Sequence, residues 1–127
     1  MANLEATLLA SAARTATTSA IVQTNGENRG IILFLDVTVG AAAETLTLQV
    51  QMLDPVTAKW TDITAFPASA AAFTGIKTFV VYPGAVETTV LANHEVAGIP
   101  LPTRWRATIT HSAAGSWTYS LGVAVII

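Results

Sequence analysis

"TLTLQVQMLDPVTAKWTDI", residues 45–63, decides the fold. Leu46, Leu48, Val50 and Met52 alternate with Thr45, Thr47, Gln49 and Gln51. Successive strand residues point to opposite faces, so a period of two marks a strand with one buried face. Asp54 and Pro55 then break the pattern. The aspartate caps a turn and the proline ring sets φ at its second position. "WTDIT" returns antiparallel. The result is a hairpin whose apolar side needs a second layer to cover it. It holds no nucleophile with a base, no metal-ligand pair and no phosphate loop.

The same period recurs on either side. "IILFLDVTV" (31–39) puts Ile31, Leu33, Leu35, Val37 and Val39 on one face and Asp36 and Thr38 on the other. "RWRATITH" (104–111) turns Trp105, Ala107 and Ile109 inward and Arg104, Arg106, Thr108 and Thr110 outward. "WTYSLGVAVII" (117–127) aligns Trp117, Tyr119, Leu121, Val123, Val125 and Ile127. "ARTATTSAIVQT" (13–24) and "IKTFVVYPG" (76–84) read as further strands, the second stopped by Pro-Gly. Between them, "NGENRG" (25–30) is a turn in which Asn-Gly and Gly30 tolerate positive φ. "AFPASAAAFTG" (65–75) has no period and reads as a loop. "AVETTVLANHEVAG" (85–98) suits either a short helix or a bent strand, with Val86, Val90 and Val96 inward. The prolines of "IPLPT" (99–103) hold that segment extended.

Every strand has one apolar face to hide. Two packed antiparallel sheets satisfy that need. The expected fold is therefore an all-β, two-sheet sandwich, jelly-roll or immunoglobulin-like. It has seven or eight strands and at most one short helix. Residues 1–127 make one domain. Within them, 1–12 fit either an N-terminal arm that docks on a neighbour or a first edge strand.

Composition narrows the function. Charged residues make up 11% of the chain, against roughly 25% in ordinary soluble domains. The chain has 23 Ala and 19 Thr, which must cover much of its surface. A free monomer usually stays soluble through charge, whereas a protein covered by neighbours does not need to. Six basic and eight acidic residues leave a net charge of −2, no footprint for nucleic acid or an anionic membrane. The apolar runs, such as 31–35 and 123–127, are far shorter than a membrane-spanning helix. The N-terminus has Glu5 and no basic residue before its apolar part, a poor match to a secretion signal.

Nothing assembles a catalytic, cofactor or metal site. Cysteine is absent, and His94 and His111 are the only histidines, without ligands at strand or helical spacing. Asp36, Asp54, Asp62, Glu87 and Glu95 are scattered, and no Gly-x-Ser-x-Gly elbow accompanies the many hydroxyls. The expectation is a non-enzyme. Trp60, just after a turn, is the aromatic best placed as an exposed platform for a sugar. Arg104 and Arg106 flank Trp105 and suit a protein interface, since arginine makes bidentate carboxylate pairs. The uncharged C-terminal run ends in Ile126 and Ile127, and such a strand needs a covered position. Near the start, Leu4, Leu8 and Leu9 are the residues an arm would use. These seven, Leu4, Leu8, Leu9, Arg104, Arg106, Ile126 and Ile127, are the candidate interface.

Five stretches together, "SAARTATTSA", "NGENRGIILFLDVT", "LTLQVQMLDPVTAKWTDI", "GIPLPTRWRATITH" and "TYSLGVAV", resemble small β-sandwich structural proteins of tailed bacteriophages. The resemblance covers most of the chain in pattern and contains no catalytic motif. It implies a virion protein on the capsid or in the neck or tail, assembled in the host cytoplasm. Within that family the low charge and apolar ends suit a capsid decoration or cement protein. Its partners would be further copies of itself, a trimer first, and the major capsid protein or other virion proteins. A neck or tail component is the nearest alternative. A carbohydrate-binding module is the alternative from another class.

Overall fold

The opening hairpin forms as its period requires. In the computed structural model, β5 (Leu46–Leu53) pairs antiparallel with β6 (Trp60–Ala65). Asp54 closes the turn between them. Its carboxylate accepts hydrogen bonds from the Val56 amide at 2.9 Å and the Thr57 hydroxyl at 2.7 Å. Those bonds hold its pKa below the ordinary carboxylate value, the Val56 amide contributing most. Residues 4–19, 22–25, 28–65, 73–86 and 94–127 are described.

Eight further strands complete the described chain: β1 (Leu4–Arg14), β2 (Thr18–Ser19), β3 (Gln23–Thr24), β4 (Gly30–Val39), β7 (Gly75–Val81), β8 (His94–Ala97), β9 (Arg104–His111) and β10 (Trp117–Ile126). One sheet, sheet A, runs β1-β10-β4-β7-β8. The other, sheet B, runs β2-β9-β5-β6, with β3 also on β9. Because β2 and β3 follow one another along β9, they act as a single interrupted edge strand.

The pairings nest. β5 pairs with β6, β4 with β7, the β2–β3 edge with β9, and β1 with β10, all antiparallel. A long hairpin folded over on itself in this way is a jelly roll. That resolves the two sandwich topologies left open by the sequence. β8 is added at one edge, parallel to β7. It accounts for part of the excess over seven or eight strands.

Alternation delivers the core. Ile31, Leu33, Leu35 and Val37 of β4 face Leu48, Val50, Ile109 and Trp105 of sheet B across the interior, each at most 3% exposed. Trp117, Tyr119 and Leu121 of β10 are fully buried. Val39, placed on the inner face by the sequence, is 53% exposed because β4 ends there and nothing covers it.

Two open readings are settled and two expectations change. No helix occurs among the described residues, and His94–Ala97 of the ambiguous segment is a strand; residues 87–93, with Glu87 and Val90, lie outside the described set. Val86 of that segment is exposed rather than inward. The first strand begins at Leu4, not at residue 13, so Leu4–Arg14 form the edge strand rather than a free arm. Gly30 is the first residue of β4 and does not have positive φ. It is needed for space: a Cβ there would collide with the Val81 carbonyl oxygen and lie 3.2 Å from Tyr82 Cα. Most of the expected 65–75 loop, residues 66–72, lies outside the described residues.

Candidate functional site

The two outer faces of the sandwich differ in chemistry. On sheet B, cross-strand neighbours of β5 and β9 build a polar network. Gln51 accepts from Arg106 Nε at 2.8 Å and from the Thr108 hydroxyl at 3.3 Å, and donates to Asp62 at 2.9 Å. On sheet A, the register sets Ile32 between Ala124 and Val80, and Phe34 between Gly122 and Thr78. Val96 lies beside Val80 on β8. Phe34 is 40% exposed and Ile76 55%. Among the described residues no second layer covers this outer face, where Ile32, Phe34, Ile76, Val80 and Val96 are interspersed with Asp36, Thr78, His94 and Ser120. Isolated exposed apolar residues are ordinary; a contiguous sheet face of them marks a contact surface.

The sequence-predicted interface residues fall in three places. Leu8 and Leu9 pack against the core of their own domain, while Leu4, at the free end of β1, is 67% exposed. Ile126 is half-buried and Ile127 is 39% exposed. β10, which ends at Ile126, lies between β1 and β4, so the uncharged strand before Ile127 has a neighbour on each edge. Arg104 is exposed at the start of β9 and borders an open cleft of about 660 Å³. Leu53, Pro55, Ala58 and Pro102 also line this cleft. Arg106 is half-buried, with its guanidinium carbon 4.4 Å from the Trp60 ring centroid. Trp60 is therefore not the open platform expected: it is half-buried and a guanidinium stacks on it.

Edge strand β1 protects itself. Two bulges interrupt its pairing with β10, between Thr7 and Leu9 and between Leu9 and Ala12. Bulges discourage pairing with foreign strands. Arg14 takes up the displaced carbonyls, donating to Ala10 O at 2.6 Å, Ala12 O at 3.2 Å and Tyr119 O at 2.6 Å. Its guanidinium also lies 4.6 Å from the Tyr119 ring centroid.

The titratable groups do not converge on one centre. Among the described residues no three His, Cys, Asp or Glu side chains come together. His94 Nδ1 contacts the Thr78 hydroxyl on the outer face of sheet A. Lys77 is buried facing inward, with its ammonium 4.8 Å from the Phe73 ring centroid. Burial lowers its pKa and Glu95 opposes that shift.

His111 is the buried titratable group with a readable consequence. Its Nε2 lies 3.0 Å from the Tyr119 hydroxyl, which donates to Thr18 Oγ1 at 3.1 Å. The hydroxyl's proton is thus engaged, so Nε2–H is the donor to it and Nδ1 is an unprotonated acceptor. Nδ1 has no partner among the described residues. Protonation would place a charged N–H in an apolar site. Burial accordingly lowers the His111 pKa; Glu44 opposes the shift and Arg14 adds to it. With the folded pKa below the unfolded one, stability is full above the unfolded value of ~6.5 and declines as pH falls through it. Urea unfolding between pH 8 and pH 5 should show this decline, and the His111→Gln variant should show a shallower one. Equal slopes for both proteins would remove His111 as the cause.

No protein-family model and no curated protein matches the chain. Its fold is similar to that of a chain in the structure of infectious bursal disease virus Gx strain. The TM-score is 0.51 at 15% sequence identity, over 97% of this chain and 31% of that one. The similarity is one of fold. This chain spans under a third of the length of the viral chain it matches.

Proposed function

We propose that this chain is a non-catalytic structural protein of a virus particle, acting as a capsid decoration or cement protein. The observation that carries the reading is the outer face of sheet A, where Ile32, Phe34, Ile76, Val80 and Val96 lie with no second layer over them among the described residues. Charge is too sparse, at 11%, to keep such a face comfortable in free solution. The fold supports the reading as well, since jelly rolls recur in viral capsid and lectin domains. A chain of a virus structure shares this fold.

The mechanism is stabilisation by binding. A subunit that binds only the assembled shell shifts the equilibrium toward that shell by mass action. Its partners would be the major capsid protein and further copies of itself. A trimer suits local three-fold axes on a capsid. The tailed-phage particle and its assembly in the host cytoplasm belong to the same proposal, with a neck or tail position as the nearest variant. A sugar-binding role has less support, because Arg106 occupies a face of Trp60.

Cryo-electron microscopy of particles carrying the encoding genome tests the role. Density for this sandwich on the shell is expected, with sheet A turned toward a neighbour. Absence of the chain from purified particles would overturn the structural role. Its presence only in the neck or tail would replace decoration with the neighbouring reading.

A further inference from the structure

Unpartnered charges are segregated among the described residues. Of the six basic residues, three are engaged within the domain: Arg14 by β1 carbonyls, Lys77 by burial and Arg106 by Gln51 and Trp60. Arg29, Lys59 and Arg104 are exposed, and none has a side-chain partner among the described residues. These three share one end of the sandwich. The Arg29 carbonyl accepts from the Leu101 amide, Lys59 closes the β5–β6 turn, and β5 reaches that turn alongside the start of β9. The open cleft bordered by Arg104 lies at the same end.

The outer face of sheet A is the complement. Among the described residues its charged ones are Glu5 and Asp36, both acidic and both without a side-chain partner there. Asp36 sits directly opposite Ile76, the most exposed apolar residue of that face at 55%. A projecting apolar side chain beside a carboxylate therefore meets its match in a cleft of Leu53, Pro55, Ala58 and Pro102 beside the Arg104 guanidinium. The Asp54 carboxylate that also lines it is already engaged by Val56 and Thr57. Two such faces stacked on each other would instead bring acid against acid, which disfavours an isologous pairing.

We infer that the occupant of this face is a second copy of the chain, bound head to tail, with Ile76 seated in the neighbour's cleft and Asp36 paired with the neighbour's Arg104. The contact is heterologous, so each copy uses both surfaces. An end and a face are adjoining sides of a sandwich, not opposite ones. Successive copies therefore turn, which favours closure into a small ring over a straight filament. The inference rests on the oligomer proposed above and supplies its interface.

Charge swapping tests it, with molecular mass read by size-exclusion chromatography and light scattering. The wild type is expected to form a closed oligomer. Asp36→Lys and Arg104→Glu should each weaken association at least tenfold, because like charges then face each other. Mixing the two variants should restore association in part, since every contact between unlike copies regains opposite charges, while a ring of three keeps one like-charge contact. The chain carrying both changes should also assemble. Both side chains lie on the surface, so melting temperatures of the isolated variants control for folding. A wild type that stays monomeric at millimolar concentration would overturn the inference, as would single reversals that keep the wild-type mass or a double variant that fails to assemble while folded. Detection of a monomeric protein in purified particles would reject this interface and leave the virion role standing.

Discussion

Replacing Trp117 by alanine is expected to cost about 3–5 kcal/mol of unfolding free energy. The indole is fully buried between the sheets. Small domains have only about 5–15 kcal/mol in total, so the variant should be marginal or unfolded at 37 °C. Trp117→Phe should cost much less. The indole Nε1 is buried without a hydrogen-bond partner among the described residues. Phenylalanine keeps most of the apolar area and removes that unsatisfied donor. Urea unfolding of the three proteins gives the comparison. An alanine variant within about 1 kcal/mol of wild type would contradict the placement of Trp117 in the core.

Deleting residues 1–9 should also destabilise the domain itself, by roughly 3 kcal/mol, if Leu8 and Leu9 each contribute about 1.5 kcal/mol of burial. β1 pairs along β10 from Leu4 opposite Val125 to Arg14 opposite Trp117. Its removal strips two leucines from the core and bares one edge of an uncharged strand. Exposed edges of that kind recruit other strands, so aggregation should accompany the lower melting temperature. The separable arm considered from the sequence implies the opposite: an unchanged melting temperature after truncation. Differential scanning calorimetry with light scattering decides between them, and an unchanged melting point would mean that β1 is detachable.

Much of the inner surface was legible because a buried strand leaves a period-two trace. In 45–53, 104–111 and 117–127 the residues read as inward include Leu48, Ile109 and Leu121, each at most 2% exposed. The Asp54 turn was legible for a similar reason: its bonds to Val56 and Thr57 are local, so neighbouring residue types predict them. The apolar outer face left a trace that alternation alone does not explain. "IILFL" is apolar on both parities, and inward packing uses only Ile31, Leu33 and Leu35. Ile32 and Phe34 were the surplus.

The sequence by itself determined the class of the protein: an all-β sandwich, its strand faces, its main hairpin turn and its sparse charge. Those follow from local periodicity and composition, which need no knowledge of distant neighbours. The tertiary structure alone decided which strands meet. Nested pairing joins β1 to β10 across nearly the whole chain, and parallel β8 is added beyond β7. Strand order depends on which apolar faces and edges can be satisfied together, and a period of two is the same whichever neighbour a strand takes. For that reason the chain could announce buried faces but could not choose between an arm and an edge strand for Leu4–Arg14. Nor could it announce that Gly30 makes room for Val81, that Arg106 stacks on Trp60, or that the free cations gather at one end while the free carboxylates of sheet A lie on an adjoining side.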